Sequence, residues 1–349
     1  MNRFILIRAF VVLFLISSVH CGGSSVGNTG EEADGNQSEA GTTSFEVSTC
    51  DASTVDTSNY IMAFHACEKD DCDDPDSHVM YLAKSDDGSD WSIIEEFDTL
   101  SGSVPELIYY NNYLYLFTPG DIYQYDACFQ KVAQIEFDVS GDQDGLADPS
   151  VILDDAGDIN LFFLPSFNDE DLTGCNSYPC IKQIQHATPD DDSLESFTGT
   201  VTAAIEALIS SGSFSDPEVV LRSDGTYIMY VSAAQNTFAF VGDSLSDSFT
   251  IPDAYELGDS GFLEISSDSG GVPGAIAVGD EIWLYVTTNT DAGVDIIRRV
   301  VSSDGLAPAA EEDFTTVLSP ELLTSFSSTS SLSSPSIIAW PDSDWVASE

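Results

Sequence analysis

The sequence predicts an all-β protein: a five-bladed β-propeller of four-stranded antiparallel blades, with the first blade shared between the two termini. Three observations carry this. A proline leading into a short apolar, β-rich run occurs five times: Val104-Pro105-Glu106-Leu107-Ile108, Asp148-Pro149-Ser150-Val151-Ile152, Asp216-Pro217-Glu218-Val219-Val220, Val272-Pro273-Gly274-Ala275-Ile276 and Ser334-Pro335-Ser336-Ile337-Ile338. The prolines lie 44, 68, 56 and 62 residues apart, the period of one sheet-sized unit used repeatedly. Between copies, apolar runs alternate with Asp-Gly, Asn-Asn or Gly-Asp turns, as in a meander of hairpins. A β-sandwich is the alternative, but its Greek-key connections would not repeat so evenly.

In chain order, the first segment reads as a leader. Arg3 and Arg8 precede an apolar run from Ala9 to Ile16, then Ser17, Ser18 and Cys21-Gly22-Gly23. Eight apolar residues are too few for a stable membrane span and suit a signal-peptide core. The segment resembles a bacterial lipoprotein leader, which implies lipidation of Cys21, residues 1–21 as a lipoprotein-type signal peptide, and anchoring in the bacterial cell envelope (outer membrane or cell surface). An ordinary secretory signal cut after Cys21 is the alternative. Residues 22–44 hold Gly, Ser, Asn and Glu and read as a disordered tether, leaving 45–349 for the propeller.

The strands follow. Blade one takes Tyr60–His65, Val79–Lys84 and Trp91–Phe97, with Pro335–Pro341 as its inner strand; Trp345–Ser348 competes for its second position. Blade two takes Leu107–Tyr110, Tyr113–Phe117, Ile122–Tyr125 and Val132–Phe137. Blade three takes Val151–Leu153, Asn160–Leu164, Ile181–Ala187 and a strand at Phe197. Blade four takes Glu218–Leu221, Tyr227–Ser232, Phe238–Val241 and a strand opening at Phe249. Blade five takes Ala275–Val278, Ile282–Thr287, Asp295–Val301 and Thr316–Leu318. Thr202–Leu208, rich in Ala, Glu and Leu, is the one helical candidate, and Ser325–Ser334 reads as a linker. Joining both termini in one sheet closes the ring and protects its edges.

Composition limits the partners. The chain carries 60 acidic and 9 basic residues, a formal charge of −51, so phosphate backbones and anionic membranes are repelled and nucleic-acid binding is excluded. The acids spread over every loop, which reads as a surface hydrated in a salty medium rather than one divalent-cation site. Contact with a membrane is expected only through the N-terminal lipid, and a monomer is expected. Six cysteines follow Cys21, an even count that suggests disulfides in an exported chain. Cys67/Cys72 and Cys175/Cys180 share a spacing, which leaves Cys50 and Cys128 for each other. Zinc is the weaker reading, because His65, His78 and His186 lack metal-like spacing to the cysteines.

Asp-Pro-Ser-Val followed by an Asp/Gly turn and an aromatic strand, together with Ser85-Asp86-Asp87-Gly88-Ser89-Asp90-Trp91, resembles the five-bladed propeller glycoside hydrolases, relatives of arabinanases, xylosidases and fructosidases. The resemblance spans roughly 58–341 and implies a sugar-binding funnel with paired carboxyl groups. It implies Asp148 as the Asp-Pro base, Glu218 as the second carboxylate with Asp216 beside it, and an acid at Gly270-Gly271-Val272-Pro273, where none stands. Glu264 lies six residues too early for that acid and Glu106 follows its proline rather than preceding one, so in the enzyme reading either would be a displaced acid, and Glu106 is otherwise a ligand-binding candidate. A turn-capping role competes for Asp148 and Asp216. Trp340 is the candidate sugar platform. Tyr109, Tyr110, Phe162, Phe163, Tyr230, Trp283 and Tyr285 are candidates too, although strands bury such residues between blades.

Asp142-Gln143-Asp144-Gly145 is a fragment of an EF-hand pattern, a weak Ca2+ candidate against loop solvation, and Asn168-Asp169-Glu170-Asp171 has the same standing. No cofactor is otherwise expected. No phosphate loop, serine elbow or His-Glu-x-x-His motif occurs. The function expected is carbohydrate recognition at the cell surface or in the periplasm without a full catalytic set. An active glycosidase and a protein-interaction propeller with no sugar ligand are the alternatives.

Overall fold

Each proline motif starts or kinks the innermost strand of one sheet, and the five innermost strands surround one axis. The computed structural model describes residues 42–44 (backbone), 58–72, 74–139, 146–165, 179–197, 202–209, 213–233, 235–252, 255, 257, 261–266 and 270–341. From the inside outward, blade one is Ser330–Ala339, Tyr60–Glu68, Val79–Ser85 and the short Ser92–Ile93, with Leu100–Ser101 also against the third strand. Blade two is Glu106–Tyr110, Tyr113–Phe117, Asp121–Tyr125 and Lys131–Glu136. Blade three is Leu146–Leu153, Ile159–Pro165, Cys180–Ala187 and Thr202–Ile209. Blade four is Ser215–Leu221, Tyr227–Ala233, Asn236–Gly242 and Leu263–Ser266. Blade five is Gly271–Val278, Glu281–Asn289, Asp295–Ser302 and Thr315–Leu318. The innermost strands touch in cyclic order, one to two, two to three, three to four, four to five and five back to one, so the ring is closed.

The closure lies in blade one, as expected. The C-terminal Ser330–Ala339 pairs antiparallel with the N-terminal Tyr60–Glu68, from Tyr60↔Ala339 to Glu68↔Ser330. The competing Trp345–Ser348 falls outside the described residues.

Burial follows the pleat, because alternate side chains of a strand point to opposite faces. In Ile159–Pro165, Leu161 and Phe163 pack toward blade two while Phe162 and Leu164 pack toward blade four. The buried apolar residues fall into five clusters, one per joint between neighbouring blades. The core is therefore a ring of inter-blade layers around the axis.

Hairpin chemistry sets the blades. Asn111 and Asn112, at φ 47° and 66°, make the two-residue turn between the first strands of blade two. In Ser85–Trp91, Ser85 Oγ accepts the Gly88 N–H at 2.9 Å and Asp87 Oδ1 accepts the N–H groups of Ser89 and Asp90 at 2.8 and 3.0 Å. The Gly88 carbonyl then accepts Tyr285 Oη–H from blade five at 2.9 Å. Blade five repeats the device: Ser302 and Asp304 build the turn, and the Gly305 carbonyl accepts Tyr230 Oη–H from blade four at 2.7 Å. Gly88 is required, at φ +70° with an added Cβ only 2.3 Å from the Trp283 ring.

Five expectations are corrected. Thr202–Leu208 is no helix: Thr202–Ile209 pairs with Cys180–Ala187 as the outer strand of blade three. Ser196–Phe197, expected there, pairs in parallel with Asp138–Val139. The strand expected to open at Phe249 is reduced to one antiparallel bridge, Val241↔Thr250. Phe249 is buried, edge-on to Phe162 of blade three at 5.8 Å, and Leu263–Ser266 takes the outer position. The serine run is no mere linker, since Ser330–Ser334 belong to the closing strand and Ser331 Oγ accepts the Asp295 N–H at 3.0 Å. The end of the expected tether, Thr42–Ser44, pairs with Ala133–Ile135 and adds a fifth strand to blade two.

Candidate functional site

The residue before each proline has a positive φ: Val104 52°, Asp148 50°, Asp216 51°, Val272 48° and Ser334 55°. For non-glycine residues, above all valine, this conformation costs about 1–2 kcal/mol each. A β-bulge holds it. In blades one, three, four and five the pair of residues ending in proline faces a single residue of the second strand, as Asp148-Pro149 does between Ala147↔Leu164 and Ser150↔Phe162. The five residue-proline pairs, with Glu106 and Glu218, line one pocket on the axis. Its space open to the centre of a water is about 20 Å³, room for a single water.

Two tiers of hydrogen bonds fix this geometry from blade to blade. In the upper tier, the N–H of the residue before the proline donates to a side chain of the preceding blade. Val104 donates to His65 Nδ1 at 3.3 Å, Val272 to Ser232 Oγ at 3.0 Å and Ser334 to Thr287 Oγ1 at 3.3 Å. His65, Ser232 and Thr287 occupy equivalent registers on their second strands. Blade three has Leu164 there, which cannot accept, and Asp148 Oδ2 itself takes the Asp216 N–H at 3.3 Å.

In the lower tier, the residue after the proline accepts an N–H from the next blade. Leu107 donates to Ser336 Oγ at 2.9 Å, Val151 to Glu106 Oε1 at 3.2 Å, Val219 to Ser150 Oγ at 3.2 Å and Ala275 to Glu218 Oε1 at 2.9 Å. At the fifth joint Gly274 has no side chain to offer, and its Cα lies against the Pro335 carbonyl.

Among the described residues no lysine or arginine lines the pocket. Burial and the charge of Asp216 push the Asp148 carboxyl well above its usual range, against the pull of the Asp216 N–H. Burial raises Asp216 to about 6, opposed by the Ser215 hydroxyl, which donates to its Oδ2 at 2.7 Å. Burial raises Glu106 to about 8, and burial with the nearby Glu106 raises Glu218 well above normal. Four carboxyl groups without a counter-charge therefore hold protons more tightly than free acids do.

The structure brings Asp148, Asp216, Glu218 and Glu106 together. Among the described residues, Asp148 bonds the next blade through the Asp216 N–H and Asp216 bonds the Ser215 hydroxyl. Glu264 is in the outermost strand of blade four, away from the pocket. Trp340 is corrected. It is 5 % exposed, stacked on Phe129 at 5.3 Å and edge-on to Tyr109 at 5.9 Å, in the layer between blades one and two. None of the other aromatic candidates lines the pocket.

Cys67 and Cys72 form a disulfide, and Cys128 and Cys180 are disulfide-bonded as well. Cys21, Cys50, Cys175 and both Ca2+ candidates lie outside the described residues. Among the described residues no cluster of three or more His, Cys, Asp or Glu is placed to hold a metal ion.

Sequence reasoning missed His65, Ser232 and Thr287 as pocket supports. Their signal is a polar residue at the same register after the second-strand apolar run of blades one, four and five, visible only once the blades are aligned on their bulges. His65 is buried, stacked on His78 at 4.4 Å and lowered to about 3 by burial and by His78, so its neutral ring can accept from Val104.

No family model matches the chain, and no curated protein does. Among solved structures the chain is similar to a thermostable family-43 glycoside hydrolase at 16 % identity, covering 68 % of this chain and 88 % of that one, with a TM-score of 0.49. It is similar to a native arabinanase of Bacillus subtilis at 14 % identity, covering 71 % and 91 %, with a TM-score of 0.44. It is also similar to the catalytic domain of a GH62 alpha-L-arabinofuranosidase of Coprinopsis cinerea at 12 % identity, covering 63 % and 71 %, with a TM-score of 0.45. The five-bladed propeller itself stands on the strand pairing and the closed ring of inner strands.

Proposed function

We propose that the protein binds carbohydrate over the opening of the axial pocket, whose interior has room for only a water, with Asp148 and Asp216 as the polar groups offered to the sugar. The observation that carries this reading is the pocket itself: one cavity where the five proline motifs converge, with two adjacent carboxyl groups at its wall. Carboxylates and neutral carboxyl groups both bond sugar hydroxyls, and a concave site with a few convergent polar groups is the usual form of a small-ligand site. The motif resemblance to propeller glycosidases supports the same chemistry. Binding is favoured over cleavage because cleavage needs two carboxyl groups free to reach one bond. Glu106 and Glu218 are engaged with backbone N–H groups, and the position of the third acid holds Val272.

The test is a glycan array with the purified propeller, followed by titration of the best neutral oligosaccharide. Asp148→Asn is expected to weaken that binding by about tenfold, the loss of one hydrogen bond made by the carboxyl group. Release of reducing sugar from arabinan, xylan or fructan, abolished by Asp148→Asn, would establish the enzyme instead. A blank array with no hydrolysis would remove both.

The leader pattern supports export with Cys21 as the lipidated residue, and the Cys67–Cys72 disulfide agrees with an oxidising compartment. Labelling by a fatty-acid probe that is lost in Cys21→Ser checks the anchor.

A further inference from the structure

Around the axis the residues after the prolines run Ser336, Glu106, Ser150, Glu218 and Gly274, one per blade. Each glutamate ties three blades. Glu106 takes the Ser336 hydroxyl from blade one and the Val151 N–H from blade three. Glu218 takes the Ser150 hydroxyl from blade three and the Ala275 N–H from blade five. Between them two carboxyl groups span four of the five joints in this lower tier, and at the last Gly274 meets the Pro335 carbonyl with no side chain.

The other titratable groups facing them supply no positive charge. Asp148 and Asp216 line the same pocket. The Tyr230 phenol is bonded to the Gly305 carbonyl, and Arg222, which acts on Tyr230, is paired with Asp224 at 2.9 Å. His65 accepts from Val104 and is held neutral.

We propose that Glu106 and Glu218 form a proton-operated gate on the axial pocket. While both are neutral the inner strands are clasped and the pocket holds no more than a water. When both release their protons to solvent, two like charges face each other beside Asp148 and Asp216 with no cation between them. The N–H and hydroxyl donors on each glutamate favour its charged form, but the repulsion outweighs them: water is drawn to the axis, the Glu106–Val151 and Glu218–Ala275 joints part, and the pocket widens. Burial, which raises Glu106 to about 8, sets the gate in the neutral to mildly alkaline range.

Backbone hydrogen exchange, corrected for the chemical effect of pH, tests this without any sugar. Between about pH 6 and pH 9 the inner strands Leu146–Leu153 and Gly271–Val278 are expected to lose protection about tenfold relative to the second strands Ile159–Pro165 and Glu281–Asn289. The double variant Glu106→Gln, Glu218→Gln, neutral at every pH, is expected to keep that protection at pH 9. Equal protection at both pH values, loss shared by inner and second strands alike, or opening of the double variant at pH 9 would each overturn the gate. Should the double variant not fold, the inner-to-second-strand comparison in the wild type decides alone.

Discussion

At Gly274 an added Cβ would stand 1.9 Å from the Pro335 carbonyl oxygen, which belongs to the backbone of the closing strand and cannot swing aside. Gly274→Ala is therefore expected to lose about 1–3 kcal/mol of stability, read as a lower urea midpoint, because overpacking must shift a strand. Glu106 carries a second prediction. Its ordinary value is 4.5 and its folded value about 8, so between these the folded chain keeps a proton that the unfolded chain has lost. The contribution of Glu106 to stability then falls as pH rises from about 4.5 to about 8, and levels off above. Glu106→Gln is expected to flatten that slope in urea titrations at about pH 5 and pH 8; an unchanged slope would refute the assignment. At this scale the proline motifs made Asp148, Asp216, Glu218 and Glu106 legible, since a repeat marks equivalent positions. Their division of labour was not legible. Whether a side chain beside a proline meets the axis or the next blade depends on the bulge, which leaves no residue signature of its own.

Thr202–Ile209 shows where composition misleads an element. Ala, Glu and Leu favour helix, but eight residues make a weak helix alone, and a neighbouring strand with open N–H and C=O groups outcompetes it. The burial of Ile205, Ala207 and Ile209 against the exposure of Glu206 and Leu208 is the strand alternation. Ile205→Thr is expected to cost about 1–3 kcal/mol, while Leu208→Thr, exposed beside Ile181, stays within about 0.5 kcal/mol. A helix would bury a different set of side chains, so similar losses from both would contradict the strand. Phe249 was misread for a related reason. A buried aromatic after a polar turn looks like a strand opening, yet here it fills the gap between blades three and four while the chain runs on to Leu263.

For the whole molecule, blade number, order and terminal closure were legible because they follow from the repeat and from one unpaired strand at each end of the chain. The excess of acid was legible as well. Its few cations are spent locally: Arg298 donates to the carbonyls of Glu311 and Phe314, and Arg299 to Asp87 O and Ser89 Oγ. With a formal charge of −51 the folded state repels itself, and salt relieves this as the screening length shrinks to about 3 Å near 1 M. The thermal midpoint is therefore expected to rise between low salt and about 1 M sodium chloride, and a midpoint independent of salt would count against this.

Because Ser330–Ala339 is both the innermost strand of blade one and later in the chain than the strands of the other four blades, a growing chain holds four complete sheets and a gap before it emerges. Until that segment emerges, Tyr60–Glu68 presents a bare edge and the layer between blades five and one lacks Leu332 and Ile337. The barrel of blades is assembled as an open horseshoe and sealed once, by its final stave.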